Sequence, residues 1–479
     1  MAAKKPLPLS KRLVIVAKES PNLQLMTTEQ FVKTLIKHLK DLGIIIPFQL
    51  ERLHDVRLNA EFGEKYDNQL NELKLYDLEK LFNTYIYLNE RTTALQKKLY
   101  RYFIIEVKEE IQSKIMFEAL RYLKKKGWVV EEVWYDKVLT IDLPKAPPPT
   151  KSSFLLRAAA PPPPDCPTNW NMRNVHHIPA PTSLLANNTL PPNRGENIVV
   201  AVLDGGILTG HTGLSSHIAS SINFTTSPAT LPAEPSINHG TEVAGLISSD
   251  FGGVGCIAPE ARIMNVKVAD STTAYASRFA QGIHHCAQRE GGQLRAQVIN
   301  ISWYFPNKIT SDEFEGNDQI LEAFNQGSII VFCAGNENRQ VYSGANDNPR
   351  YLPRTAKTKC IIVGGVGCDN KLWVVTPGSL GTNLGTDVTI GGPADWLNTL
   401  NSSVVNIPIN PIKFNGTSAA APHVSGLVAV MLSNRSNLNF YQIKGLLQTY
   451  GTPLDPPVPP TNFKMMNMKD VLTNLMTFP

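Results

Sequence analysis

The sequence predicts a doubly wound α/β domain, a mostly parallel sheet with helices on both faces, preceded by a small α+β domain of ferredoxin-like order. Three observations predict this. From residue 196 onward, short runs that are nearly all apolar recur: NIVVAVLD, RIMNVKV, QVINIS, GSIIVFCAG and KCIIVGGVG. Helical patterns such as YASRFAQGIHHCAQRE and DQILEAFNQG lie between them. A strand without polar alternation is buried on both faces, as in a parallel sheet held between helices. The second observation is charge. Residues 1–145 carry 25 Lys+Arg and 20 Asp+Glu, whereas the remaining 334 carry 21 of each. The third is proline: KAPPPT and AAAPPPPDCP form neither helix interior nor central strand. The chain therefore divides into residues 1–143, a proline-rich linker at 144–190, and a larger domain at 191–479.

In the first part, KRLVIVAK reads as a strand. TTEQFVKTLIKHLKDLG reads as a helix stopped by Gly43. LYRYFIIEV is a second strand, IQSKIMFEALRYLKKKG a second helix, and WVVEEVWYDKVLTI a final strand or hairpin. A strand–helix unit at each end of the region suggests a split βαβ sandwich. The basic run Lys124, Lys125 and Lys126 suits the carboxyl end of that second helix, where cations meet the dipole.

Composition excludes several classes. A net charge of +5 over 479 residues gives little reason to expect a nucleic-acid partner. No apolar run approaches the roughly 18 residues of a membrane span. The N-terminus offers only LVIVA between basic residues, short of the ~7–15 apolar residues of a secretory signal, so cytoplasmic residence is the expectation, with non-classical export as the alternative. Six cysteines occur, none in a C-x-x-C pair, so no zinc site is expected. Cys286 and Cys333 lie in apolar settings, and free thiols are expected in preference to disulfides.

Four residues stand where the working groups of such a sheet gather, at strand carboxyl ends and helix starts. Asp204 ends NIVVAVLD and enters a Gly-Gly turn; His239 opens HGTEVAGLISS; Asn336 follows Gly335 at the end of GSIIVFCAGNEN; Ser418 lies in NGTSAAAPHVSG. Singly, each has an ordinary structural reading: a turn cap, an exposed histidine, a turn asparagine, a helix cap. Together they supply what a serine nucleophile requires. A hydroxyl needs a base to take its proton, and the base needs an acid that holds its tautomer. The tetrahedral intermediate needs donors for its oxyanion, here the Asn336 amide and the Ser418 backbone N–H.

NIVVAVLDGG, HGTEVAGL, CAGNEN and NGTSAAAPHVSG resemble the four signature segments of the subtilisin-like serine proteases (subtilases, peptidase S8). The order Asp, His, Ser is also that of subtilisin. GVGCIAPEARIMNVKV, QVINIS and YQIKGLLQTYGTPL resemble the core around those segments, and the resemblance spans roughly residues 196–475. It implies a serine endopeptidase acting on protein or peptide through an acyl-enzyme. Asp204 would orient His239, His239 would be general base and acid, Ser418 the nucleophile and Asn336 the oxyanion donor.

The chain departs from the family at several places. Gly205 follows the aspartate where Ser or Thr is usual, Glu242 replaces the second histidine of HGTHVAG, and Ala419 replaces a methionine. No cofactor is required; structural calcium is a family feature, but Gly213 takes the place of one Asp ligand. Where the family has Ser-Leu-Gly lining the substrate, this chain has Ser302-Trp303-Tyr304, which together with Gly335 are the expected substrate-binding residues. A tyrosine for that glycine is expected to narrow or reshape the pocket, which predicts a more selective protease than a degradative one. Glu337 either favours a basic substrate residue or is a solvated loop acid. Residues 1–143 resemble the propeptide of the family in element order and imply an inhibitor in cis, with FLLRAAA (residues 154–160) the most cleavable part of the linker. The alternatives are a retained module that recruits a partner, and an inactive binding protein that keeps the four groups.

Overall fold

The computed structural model describes residues 11–18, 28–44, 48–52, 94–99, 101–140, 193–226, 235–250, 255–342, 351–376, 380–395, 397–400, 414–455, 463–475 and 477. The linker, with FLLRAAA, lies outside the described residues.

In the first unit, strands Arg12–Ala17, Phe48–Arg52, Tyr102–Val107 and Val130–Asp136 form an antiparallel sheet. Its spatial order is fourth, first, third, second. Helices Thr28–Asp41 and Glu110–Lys125 make this the split βαβ arrangement that the pattern predicts. Gly43, at φ 74°, stops the first helix. Alternate residues of the sheet point to opposite faces, and both faces are buried. Leu13, Ile15, Phe103 and Ile105 pack on Phe31, Leu35, Met116 and Leu120 of the unit's own helices. Val14, Val16, Tyr102 and Ile104 instead belong to the core of the second unit.

The end of this unit is neither one strand nor a hairpin. Val130–Asp136 stays in the first sheet, while Val138–Thr140 pairs antiparallel with Thr273–Tyr275 of the second unit, Leu139 opposite Ala274. Only Lys137 separates the two, and a hairpin needs a turn of at least about two residues with turn chemistry. In exchange, Glu313–Phe314 of the second unit adds a parallel edge to Val130–Asp136.

The second sheet has seven parallel strands, in the order Ile390–Pro393, Cys360–Val366, Ile329–Cys333, Val298–Ile301, Val199–Asp204, Arg262–Lys267 and Ile218–Asn223. The five apolar runs are its inner strands. The pattern missed Ile218–Asn223, whose IASSIN is half polar because it is an edge, and Ile390–Pro393, which is glycine-rich. Val199–Asp204 comes first in sequence yet lies inside the sheet, so later strands add on either side of it. A crevice opens at the carboxyl ends where the order reverses. Helices His239–Ile247 and Thr417–Asn434 pack together against the sheet, and Ala276–Ala287 and Asn317–Gln326 form a second pair. The helix Thr417–Asn434 is buried from Thr417 to Leu432 and apolar on all sides, as a helix inside a core must be.

Cys256, Cys286, Cys333 and Cys360 are free thiols, but Cys368 is disulfide-bonded, its partner lying outside the described residues. The expectation of free thiols fails there, because a cross-link between distant segments leaves no local spacing signal. Among the described residues no helix is long and apolar enough to cross a membrane.

Candidate active site

Asp204 ends the inner strand at the switch point and is fully buried. Its Oδ1 accepts the Gly205 N–H at 2.7 Å, and its Oδ2 lies 2.8 Å from His239 Nδ1. A Cβ on Gly240 would come within 2.3 Å of the Gly206 carbonyl and 3.1 Å of the Asp204 Cβ, so only glycine lets the histidine helix close on the aspartate. Gly205 is explained the same way: Ile237 fills the space where a Ser or Thr side chain would begin.

Burial pushes the His239 pKa down, but the charge and hydrogen bond of Asp204, with a smaller contribution from Glu242, overcome it and leave it raised above the ordinary imidazole value. A general base must be neutral, so activity should fall as pH drops through that raised pKa. Glu242→Gln should move the acid limb of a kcat/KM–pH profile to lower pH; an unmoved limb would remove Glu242 from the electrostatics of the site.

Ser418 is the second residue of its helix. Gly416, at φ 89°, turns the chain into that helix in the left-handed region, and a Cβ there would lie 3.3 Å from Asn336 Nδ2. The Thr417 N–H and hydroxyl both donate to Asn336 Oδ1, at 3.0 and 2.7 Å. An N–H only donates, so the amide oxygen faces Thr417 and Nδ2 points away from it. Beside it the Ser418 N–H, an orphan donor of the first helical turn, makes no hydrogen bond among the described residues. Two N–H donors at a helix N-terminus favour developing negative charge. Asn336→Ala should raise the barrier by about 2.7–4 kcal/mol, the size typical of one oxyanion donor. A kcat within twofold of wild type on a cleavable peptide would exclude that role.

The acid–imidazole bond is made; the imidazole–hydroxyl bond is not. The Ser418 hydroxyl donates to the Ser302 carbonyl at 3.1 Å, and His239 Nε2 is buried without a hydrogen-bond partner among the described residues. Phe414 and Trp303 both present ring edges to the imidazole, at 5.5 and 6.4 Å between centroids, and Trp303 follows Ser302 directly. His423, on the serine helix, does not compete as base: burial pushes its pKa down to about 4, and Nδ1–H donates to the Ala419 carbonyl.

Ser302, Trp303 and Tyr304 have fully buried side chains. The Tyr304 ring lies about 3.0 Å from where a Cβ on Gly335 would be, so it closes over the residue before Asn336. The Glu337 carboxylate accepts from Asn383 Nδ2 at 3.0 Å. Asn383 was not legible in the sequence. It holds the whole Ala334–Arg339 turn, donating to the Ala334 carbonyl and accepting from the Glu337 and Arg339 N–H groups.

Gly213 stands where the family resemblance implies one calcium ligand. Its N–H donates to His211 Nδ1, its carbonyl accepts from Asp250 N–H, and the Asp250 carboxylate is taken by Ser216 and His217. Among the described residues no three His, Cys, Asp or Glu side chains converge on a point. The same corner holds a second acid–imidazole–hydroxyl chain, Asp250–His217–Ser248, with links of 2.9 and 3.0 Å. Ser248 is fully buried and stands at the carboxyl end of its helix, where the dipole opposes an oxyanion. What distinguishes Ser418 is therefore the helix N-terminus and the amide beside it.

A serine at a helix start, beside a buried carboxylate–imidazole pair, is the set of groups that serine hydrolase chemistry requires. The subtilase family model matches residues 195–463, more than half of the chain, and the chain belongs to that family. It is 30% identical over 249 residues to the major intracellular serine protease of Bacillus subtilis (strain 168), covering 50% of this chain and 70% of that protein. It is 28% identical over 262 residues to subtilisin NAT of Bacillus subtilis subsp. natto, covering 54% of this chain and 61% of that protein. The crystal structure of a cold adapted subtilisin-like serine proteinase aligns at 21% identity with a TM-score of 0.49, over 62% of this chain and 97% of that one.

Proposed function

We propose that this chain is a serine endopeptidase that cuts protein or peptide substrates with Asp204, His239 and Ser418, and that its first unit inhibits it in cis. The buried Asp204–His239 pair next to the Ser418 helix start carries the first half. Rotation about the Ser418 Cα–Cβ bond takes the hydroxyl from the Ser302 carbonyl toward His239 Nε2. Links of this kind are often unmade until substrate binds. His239 then accepts the proton as Oγ attacks the scissile carbonyl. The Asn336 Nδ2 and the Ser418 N–H stabilise the oxyanion. His239 returns the proton to the leaving amine, and water releases the acyl group by the reverse path.

The inhibitory half is supported by how the first unit meets the second. The Lys137 carbonyl accepts the Ala276 N–H, and the Asp136 carboxylate accepts the Ser277 N–H and hydroxyl, so the first unit caps the helix Ala276–Ala287. Arg12 lies 3.3 Å from Asp136 and over the Tyr275 ring at 4.6 Å; Arg12 and Asp136 are buried at the seam and Tyr275 is half-buried. Tyr102 and Lys98 reach Asp318 at the start of the next helix. Val138–Thr140, paired antiparallel with Thr273–Tyr275, runs toward the start of that strand. Five residues before that start, the Val268 N–H bonds the Asp204 carbonyl. Thr140 thus stands at the end of its strand nearest to Val268 and the Asp204 carbonyl in sequence register.

Following the intact mass of the purified chain over time, beside Ser418→Ala, tests both halves. Wild type should split within residues 144–190 and the variant should stay whole. A wild-type chain that stays whole and inactive after removal of residues 1–143 would overturn the proposal. Asp136→Ala removes the carboxylate that faces Arg12 and accepts the Ser277 N–H and hydroxyl, and should weaken docking by about 1–3 kcal/mol. Peptidase activity should then appear sooner; an unchanged onset would exclude this contact from inhibition.

A further inference from the structure

Pro422 lies inside the serine helix, where its missing N–H matters to a particular residue. In an α-helix the carbonyl of residue 418 accepts the N–H of residue 422. Proline has no N–H, and its ring pushes that carbonyl outward. The Ser418 carbonyl is buried, so it must be paired elsewhere. It accepts the Ser302 hydroxyl at 3.0 Å. Ser302 in turn accepts from Asn300 Nδ2 at 3.0 Å, and Asn300 Oδ1 accepts the Ser425 hydroxyl at 2.9 Å. Asn300, Ser302 and Ser425 are fully buried. Ser302 lies just past the strand that carries Asn300, and residues 418 and 425, two turns apart, share one face of the helix. The chain of bonds therefore bridges sheet and helix, with every donor pointing the same way and ending on the Ser418 carbonyl.

We propose that Ser302 and Pro422 are positioning residues that together set the Ser418 backbone: the proline frees its carbonyl from the helix, and the Ser302 hydroxyl draws that carbonyl to the sheet. This rests on Ser418 being the nucleophile. A shift of the Ser418 backbone moves both the hydroxyl and the N–H donor to the oxyanion. Substrate contacts elsewhere stay in place, so the loss falls on kcat and not on KM.

The test uses the full chain, held until its mass is constant. A peptide substrate gives kcat and KM, a serine-directed fluorophosphonate gives the rate of Ser418 labelling, and thermal melting gives stability. Ser302→Ala should lower kcat and the labelling rate by the same factor, roughly 10- to 100-fold, as small misplacements do. KM should stay within twofold and the melting temperature should fall, because a buried carbonyl loses its donor. Adding Pro422→Ala to Ser302→Ala supplies an N–H to that carbonyl. Stability should then recover while kcat stays low, because the carbonyl is now bonded within the helix. Recovery of kcat together with stability would show that the hydroxyl only satisfied a buried acceptor and would overturn the proposal. If Ser302→Ala does not fold, Pro422→Ala alone decides: kcat should fall with the melting temperature unchanged or higher, and an unchanged kcat overturns it. Wild-type protein that is never labelled at Ser418 refutes the nucleophile itself, an outcome separate from all of these.

Discussion

Ser418→Ala should abolish peptide hydrolysis, a loss on the order of a million-fold in kcat, while the thermal transition stays close to that of wild type. The hydroxyl makes one hydrogen bond, to the Ser302 carbonyl, and the residue is followed by Ala419, Ala420 and Ala421 in a helix that packs closely on the sheet. A Cβ on Gly392 would come within 2.6 Å of the Ala420 carbonyl, so the helix has no slack for larger groups, but alanine removes one atom and adds none. The unmade bond costs about 1 kcal/mol. Hydrolysis needs the oxygen itself, since His239 has nothing else to activate at that position. The measurement is turnover of a fluorogenic peptide beside circular-dichroism melting. Residual turnover within a hundredfold of wild type would exclude Ser418 as nucleophile. Loss of turnover with an early melt would show a structural defect and no more.

Asp204→Asn should lower kcat by about 10⁴-fold at neutral pH with the fold kept. The reason is local and geometric. The Gly205 N–H points at one carboxylate oxygen from 2.7 Å and the His239 Nδ1 at the other from 2.8 Å. The Gly205 N–H can only donate, so an asparagine must turn its amide oxygen there and its NH₂ group toward His239. The imidazole then accepts at Nδ1 and carries its proton on Nε2, the tautomer that cannot take a proton from Ser418. Burial also acts on His239 without the aspartate's charge opposing it, so its pKa should drop below the wild-type value. A pH–rate profile should show both effects, a low plateau and an acid limb moved to lower pH. A variant with wild-type kcat at neutral pH would mean that Asp204 does not set the tautomer.

Much of this site was legible before any coordinates. Asp204, His239 and Asn336 each follow or begin an element that announces itself, the first and last by an all-apolar run and the second by a stretch of small residues. The Gly-Thr before Ser418 likewise marks a chain turning sharply into a helix. Thr417 was visible in that motif, yet its task of orienting the Asn336 amide was not, because the two are 81 residues apart. Asn383 sits in LGTNLGT, which carries no pattern at all, and the four hydrogen bonds of its side chain exist only once Ala334–Arg339 has been laid beside it. Ser302 was legible only as one of the expected substrate-binding residues; that its buried side chain exchanges hydrogen bonds with Ser418 in both directions was not.

The sequence by itself determined the class of fold and the chemical groups of the site. Apolar runs, glycine stops and the residues beside them are local signals, read within a few positions. The tertiary structure decided how those groups are held. Val138–Thr140 leaves its own unit because an unpaired edge at Thr273–Tyr275 accepts it, and Glu313–Phe314 goes the other way for the same reason. The Ser302–Ser418 exchange spans 116 residues, and Cys368 bonds to a cysteine with no neighbouring signal. Each depends on which buried donor meets which buried acceptor, or which edge meets which edge. Burial makes such pairing obligatory but leaves the choice of partner to the packing of the whole chain.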